Sequence, residues 1–252
     1  MSDLSRRKWI TAGIATAAGA SGLAAASGLA KRYGLIPPDH GGLYGAGETL
    51  TYAAQRILTR HSMAREFPAS EISKPPFVND VGTLGEPFKR LQAGGFAGWR
   101  LTVDGLVARP ASFSIADLKS QPSRTQITHL ACEEGWSYIA EWKGVPLSCV
   151  LDRVGILPQA KYVVYFSIQP DWWDSVDMDD ALHPQTLVAY GMNGGELPVG
   201  NGGPLRLRVP RQLGYKNVKY ITRLTVTDDL KRFGRGLGSS SPEAGYAWYA
   251  GI

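Results

Sequence analysis

Short runs of Val, Ile, Leu and Tyr, each ended within a few residues by glycine or proline, set the strongest limit on how this chain can fold. Thirty glycines and sixteen prolines among 252 residues leave little room for long helices, because both residues disfavour helix interiors and mark turns. Residues 99–107 alternate apolar and polar side chains and bend at Asp104-Gly105, the pattern of a strand entering a turn. Residues 125–132, 162–168 and 220–226 read as further strands. Leu205-Arg206-Leu207-Arg208-Val209-Pro210 alternates strictly and predicts another, whose arginines, taken singly, are ordinary solvated side chains. Residues 187–192 are apolar enough to be buried, and 193–198 predict a turn. The predicted helices are short: one over 114–118 with Ser114 as its N-cap, and a turn plus amphipathic helix over 143–157. The expected class is α+β, mixed and mainly β.

The N-terminus reads as an address. Ser5-Arg6-Arg7-Lys8-Trp9-Ile10 precedes an uncharged, Ala/Gly-rich run that continues to Ala30, and the arginine pair resembles a twin-arginine export signal. Alanine and glycine are weakly hydrophobic, which favours a cleavable signal over a membrane anchor. That route carries proteins already folded, often around a prosthetic group, and implies a periplasmic destination. The expected organisation is a signal peptide over 1–30, an extended arm over 31–64, one globular domain over 65–230 and a C-terminal tail over 231–252.

Charge excludes little. With Arg6, Arg7, Lys8 and Asp3 set aside, 24 cations face 21 anions, a balance of +3. That gives no case for nucleic acid, and is compatible with an ordinary surface or with a site for an anionic cofactor.

Cys132 is the residue best suited to be a soft metal ligand or a nucleophile. As a nucleophile it lacks an obvious base: His129, three residues earlier on the same strand, points to the opposite face, which leaves His183. Four histidines and two cysteines show none of the close pairs of a zinc site. A buried structural thiol is the bland alternative. Cys149 lies in an apolar helical stretch and is expected in the core, with Cys132 unpaired.

Three ordered segments change the balance. They are His129-Leu130-Ala131-Cys132-Glu133-Glu134-Gly135-Trp136; then Leu182-His183-Pro184-Gln185-Thr186-Leu187 with Met192-Asn193-Gly194 and Leu197-Pro198; then Asn201-Gly202-Gly203-Pro204-Leu205-Arg206-Leu207 with Pro210 and Gly214-Tyr215-Lys216-Asn217-Val218-Lys219. Together they resemble the molybdopterin-binding oxidoreductase domain of the sulfite-oxidase family over roughly residues 65–230. More narrowly, they are similar to the bacterial periplasmic methionine-sulfoxide reductases.

The resemblance implies a sulfite-oxidase fold around one molybdenum-molybdopterin cofactor, with Cys132 as the thiolate on the metal. A thiolate is a soft donor suited to a high-valent transition metal. The cofactor's phosphate needs cations and backbone donors, which Arg206, Lys216 and Lys219 with the glycines at 202, 203 and 214 supply. Asn201, Arg206, Gly214, Tyr215 and Lys216 are the expected contacts, joined by Lys219, His183 and Ser167. Asn79 and Asp80 stand where the reductases carry an asparagine pair. Glu133 and Glu134 replace arginines that bind the anion in sulfite oxidases, which disfavours sulfite. Glu133, Glu134 and Trp136 are expected to shape a substrate pocket, with Arg211 at its rim. The implied activity is two-electron oxo transfer on a small-molecule or protein-borne substrate by a monomeric catalytic subunit. With no Cys-x-x-Cys-His motif and no iron-sulfur cysteines, electrons must come from a separate protein, a membrane b-type haem protein or a soluble cytochrome. The competing reading is a non-catalytic exported binding domain of the same fold.

Overall fold

The computed structural model describes residues 28–41, 45–79, 82 and 84–252. Nearly all of the expected signal peptide, and Asp80, lie outside the described residues. The chain divides into two units, residues 1–58 and 59–252. In the first, where the sequence predicts an extended arm, helix α1 (Gly45–Leu58) forms. Its Ala, Gln, Arg and Leu residues are good helix formers, Glu48 in the first turn and Arg56 in the last oppose the helix dipole, and the Arg56 guanidinium lies 5.3 Å from the Tyr52 ring one turn away.

In the second unit, after helix α2 (Glu86–Ala93), two sheets carry the fold. One has the order β2 (Ala111–Phe113), β1 (Leu101–Gly105), β10 (Ile221–Thr227), β5 (Tyr162–Ser167) and β6 (Trp173–Asp177), with β1 and β10 parallel and the other pairs antiparallel. The other runs β3 (Arg124–Ala131), β4 (Ser137–Pro146) and β7 (Leu187–Met192), and β7 also pairs with β8 (Gly195–Glu196) and β9 (Arg206–Arg208). The largest apolar cluster draws Leu101, Val103, Val163 and Leu224 from the first sheet and Val145, Val188 and Leu207 from the second. Helix α4 (Leu147–Val154) adds Leu147, Val150, Leu151 and Val154, an i, i+3, i+4, i+7 stripe that is fully buried. Each such side chain contributes about 1.5–3 kcal/mol. The helix stops at Gly155, whose φ of 68° is left-handed.

Helix α3 (Ile115–Lys119) starts as expected: Ser114 Oγ accepts from Asp117 N at 3.1 Å, and Asp117 Oδ2 accepts from Ser114 N at 2.8 Å. Ser114→Ala is expected to cost about 1 kcal/mol in denaturant unfolding.

Several expectations need correction. Residues 143–146, predicted as a turn, continue β4 against β7; Gly144 permits this, since a side-chain carbon there would lie 2.4 Å from Val188 O. Strand β6 and helix α5 (Met178–Ala181) form where the sequence predicts no element, and Asp177 caps the helix by accepting from Asp180 N. The arginines of β9 are buried, at 3% and 0% exposure, because the strand is covered on both faces. The C-terminal stretch is no free tail: Trp248, Tyr249 and Ala250 are buried, and Leu213 N donates to Ala250 O at 2.9 Å. Cys149 is only half-buried at the margin of the core, and both cysteines are unpaired.

Candidate functional site

Cys132 is the first residue beyond β3. Its N–H donates to Trp136 O at 3.0 Å and its carbonyl accepts from Gly135 N at 3.1 Å, so residues 132–136 form a tight turn that fixes the thiol. Gly135 has φ 89°, a conformation that a side chain would strain. Opposite the thiol stands Gly214. A side-chain carbon there would lie 3.0 Å from Cys132 Sγ and 3.1 Å from its Cβ, so only glycine lets the 213–217 loop come this close.

Both residues line a cavity of about 350 Å³. Its walls come from Phe77 and Asn79, the 132–136 turn and Tyr138, the β5–β6 connection (Gln169, Asp171, Trp172), Asn201, Arg206, the 214–219 loop, and Ser240, Ser241, Ala244 and Tyr246. An aromatic stack leads inward from the mouth: Phe77 on Trp136 at 4.8 Å, Trp136 on Tyr138 at 6.0 Å.

The thiol donates to Glu133 Oε2 at 3.0 Å, and Glu134 Oε2 lies 3.8 Å away. Burial, and after it the hydrogen bond to Glu133, pushes its pKa up to about 12. A free thiol in this setting is protonated near neutral pH and is a poor nucleophile; a bound metal cation reverses that by displacing the proton.

Behind the cavity lie two buried arginines. Arg206 donates through Nη1 to Asn201 O at 2.7 Å and through Nη2 to Asn217 O at 2.6 Å, and its guanidinium lies 5.1 Å from the Trp142 ring centroid. Arg208 flanks the same ring at 5.4 Å. Neither pairs with a carboxylate, and neither Nε has a hydrogen-bond partner, among the described residues. Burial lowers the pKa of both, Arg208 to about 9 with further help from the neighbouring Arg206 charge. Two buried cations without an anion favour an anionic guest.

Of the other expected residues, five line the cavity. Asn79 Nδ2 donates to Glu134 Oε2 at 3.1 Å, and Asn201 Nδ2 to Phe77 O at 3.2 Å. Lys219 Nζ donates to Asn79 O at 2.8 Å and to Gly200 O at 2.7 Å. Tyr215 donates to Ala247 O at 2.6 Å and stacks on Tyr246. Gly214 completes the set. Lys216 is fully buried but turns away, pairing with Asp174 at 2.5 Å and donating to Ser175 O at 3.0 Å. Ser167 and His183 are not among the lining residues; Ser167 Oγ accepts from Gln169 N, and His183 Nδ1 accepts from Gln185 N at 3.3 Å. Arg211, expected at the rim, is instead buried on Thr59 O and Arg60 O, 3.4 Å from Asp180. Residues that the sequence reading missed are Phe77, Tyr138, Gln169, Asp171, Trp172, Asn217, Val218 and the C-terminal Ser240, Ser241, Ala244 and Tyr246. Among them Asn217 and Val218 carried a signal, as part of the Gly214–Lys219 motif.

Residues 90–232 match the family model of the oxidoreductase molybdopterin binding domain. An Azospira oryzae protein provisionally named a protein-methionine-sulfoxide reductase subunit is 38% identical over 192 residues, 76% of this chain and 69% of that one. Protein-methionine-sulfoxide reductase catalytic subunits of Ralstonia nicotianae and Xanthomonas axonopodis pv. citri are 34% and 35% identical over 52% and 58% of this chain. The chain spans only 44% and 50% of those two relatives. The sulfane dehydrogenase SoxCD of Paracoccus pantotrophus matches with a TM-score of 0.51 at 27% identity, covering 53% of this chain and 39% of that one.

Proposed function

This chain belongs to the oxidoreductase molybdopterin binding domain family, and from that premise we propose that it is the exported, periplasmic catalytic unit of a sulfoxide reductase. Membership makes it a molybdopterin-dependent oxidoreductase of sulfite-oxidase-like fold with molybdenum-molybdopterin as its cofactor. Its residues suit that group. Cys132 offers a soft donor, Gly214 lets the 213–217 loop close against the thiol with no side chain between them, and Arg206 and Arg208 supply buried positive charge. Cys132 would hold the molybdenum, and Asn79, Asn201, Arg206, Gly214, Tyr215 and Lys219 would hold the pterin and its phosphate. Ser167, His183 and Lys216 are assigned no contact. When bound, the cofactor supplies two-electron oxo transfer, by which a sulfoxide, two electrons and two protons become a sulfide and water.

The protein's own part is selection. Glu133, Glu134 and Asp171 line the cavity and form no ion pair among the described residues. Their charge opposes an anion such as sulfite and leaves a neutral sulfoxide unhindered. Phe77, Trp136, Trp172 and Tyr246 present ring surface to a thioether, and sulfur–aromatic contacts contribute about 0.3–1.5 kcal/mol each. Glu133 is the proton-exchanging group nearest the thiol. With Cys132 on the molybdenum, Cys149 alone cannot hold an iron-sulfur cluster, so electrons would come from a membrane b-type haem protein or a soluble cytochrome.

The observation that carries the proposal is the Cys132 thiol facing Gly214 in a cavity backed by buried arginines. The test is sulfoxide reduction by the loaded protein with a reduced viologen dye as donor. Stoichiometric sulfide is the expected product; a loaded protein that reduces no sulfoxide but oxidises sulfite overturns the reading. Glu133→Gln with Glu134→Gln is expected to raise kcat/KM for a carboxylate-bearing sulfoxide, relative to a neutral one, about fivefold to tenfold. An unchanged ratio contradicts the electrostatic account.

A further inference from the structure

We propose that Arg208 and Asn217 act together as positioning residues for the metal-binding thiol, pinning the end of β3 to the 213–217 loop. Neither residue is among the contacts that the resemblance implies, and Arg208 does not line the cavity. The proposal rests on Cys132 being the cofactor's ligand only for its loading measurement, described below.

The Cys132–Gly214 approach joins two segments that no strand ladder connects: β3 pairs with β4, whereas β9, which leads into the loop, pairs with β7. Arg208 bridges the gap. Its Nη2 donates to His129 O at 2.5 Å and to Thr128 Oγ1 at 3.2 Å, and its Nη1 donates to Asn217 Oδ1 at 2.7 Å. His129 lies three residues before Cys132, and Asn217 three residues after Gly214. One planar guanidinium thus grips both segments close to their point of contact.

Asn217 closes the loop at its base. Its Oδ1 also accepts from Val209 N at 2.7 Å, and its Nδ2 donates to Leu213 O at 2.8 Å and to Gln212 O at 3.3 Å. Its main-chain carbonyl takes the bond from Arg206. Leu213 and Asn217 flank the turn that presents Gly214, so an asparagine, with two acceptor sites and two donors, fits where aspartate would lose both donors. Lysine in place of Arg208 could not span the two acceptors, because its single ammonium lacks the fixed fork.

A buried cation with no carboxylate is costly to keep, as the depressed pKa of Arg208 reflects. A neutral apolar residue would be the cheaper choice for packing alone. The bonds that the charge makes run to the two segments that meet at the thiol.

The protein contains its own control. Cys149 is also half-buried and unpaired, but it sits on α4 beside Arg109 and Arg153, away from the cavity. The experiment is iodoacetamide labelling of both cysteines in cofactor-free, full-length protein, read by mass spectrometry for wild type, Arg208→Lys and Asn217→Asp. The expected result is at least a tenfold rise in the Cys132 rate relative to the Cys149 rate in either variant. Molybdenum per chain in loaded preparations should fall severalfold. An unchanged ratio overturns the proposal. So does a parallel rise at both cysteines, including that of a variant that fails to fold, because the pair would then hold the fold at large. The labelling ratio needs no cofactor, so the pin and the sulfoxide-reduction reading can fail separately.

Discussion

Cys132→Ser is expected to keep the fold and lose the activity. The thiol is half-buried and contributes no core packing, and a hydroxyl can still donate to Glu133, so the thermal midpoint should change little. A serine hydroxyl is a harder donor and resists ionisation, so sulfoxide turnover should fall at least about a thousandfold, equivalent to about 4 kcal/mol of transition-state stabilisation. Steady-state kinetics beside circular dichroism separates the two effects. A serine variant with more than a tenth of wild-type turnover would remove Cys132 from the chemistry.

Lys216→Met is expected to have the largest effect on stability. Lys216 and Asp174 are 0% and 1% exposed, and the pair is satisfied on all sides: Lys216 donates to Ser175 O, and Ser241 Oγ donates to Asp174 Oδ2 at 2.9 Å. Trp248 covers the ammonium at 4.9 Å. Removing the lysine strands a buried carboxylate, which costs about 3–5 kcal/mol. For a domain of this size that lowers the thermal midpoint by on the order of 10 °C. Because Ser241 and Trp248 belong to the C-terminal stretch, that stretch should become protease-sensitive first. A fall below about 1 kcal/mol, with cofactor retention lost instead, would return Lys216 to the phosphate-binding role that its motif implies.

This contrast shows what the sequence could and could not tell. Strands β3, β5 and β10 were legible because period-2 or continuous apolar runs bounded by turn residues have few other solutions, and Ser114 marked its helix as an N-cap, to which the structure adds a capping box with Asp117. Cys132 at the exit of β3 was legible for the same reason. β6 was not, since its burial is polar: Asp174 and Ser175 lie inside a strand only because partners distant in sequence satisfy them. Alternation misleads at β9, where both faces are covered, so Arg206 and Arg208 read as solvated and are buried. The C-terminal wall of the cavity has no periodicity at all. Its residues count through long-range contacts, such as Tyr215 with Tyr246, that no local pattern encodes.

Protein purified from cells that make the cofactor should contain close to one molybdenum and one pterin per chain, and Cys132 should resist alkylation until the cofactor is released. Protein recovered folded with neither molybdenum nor pterin, and with Cys132 alkylated as readily as in the cofactor-free form, would contradict the assignment of this cavity as a molybdenum site.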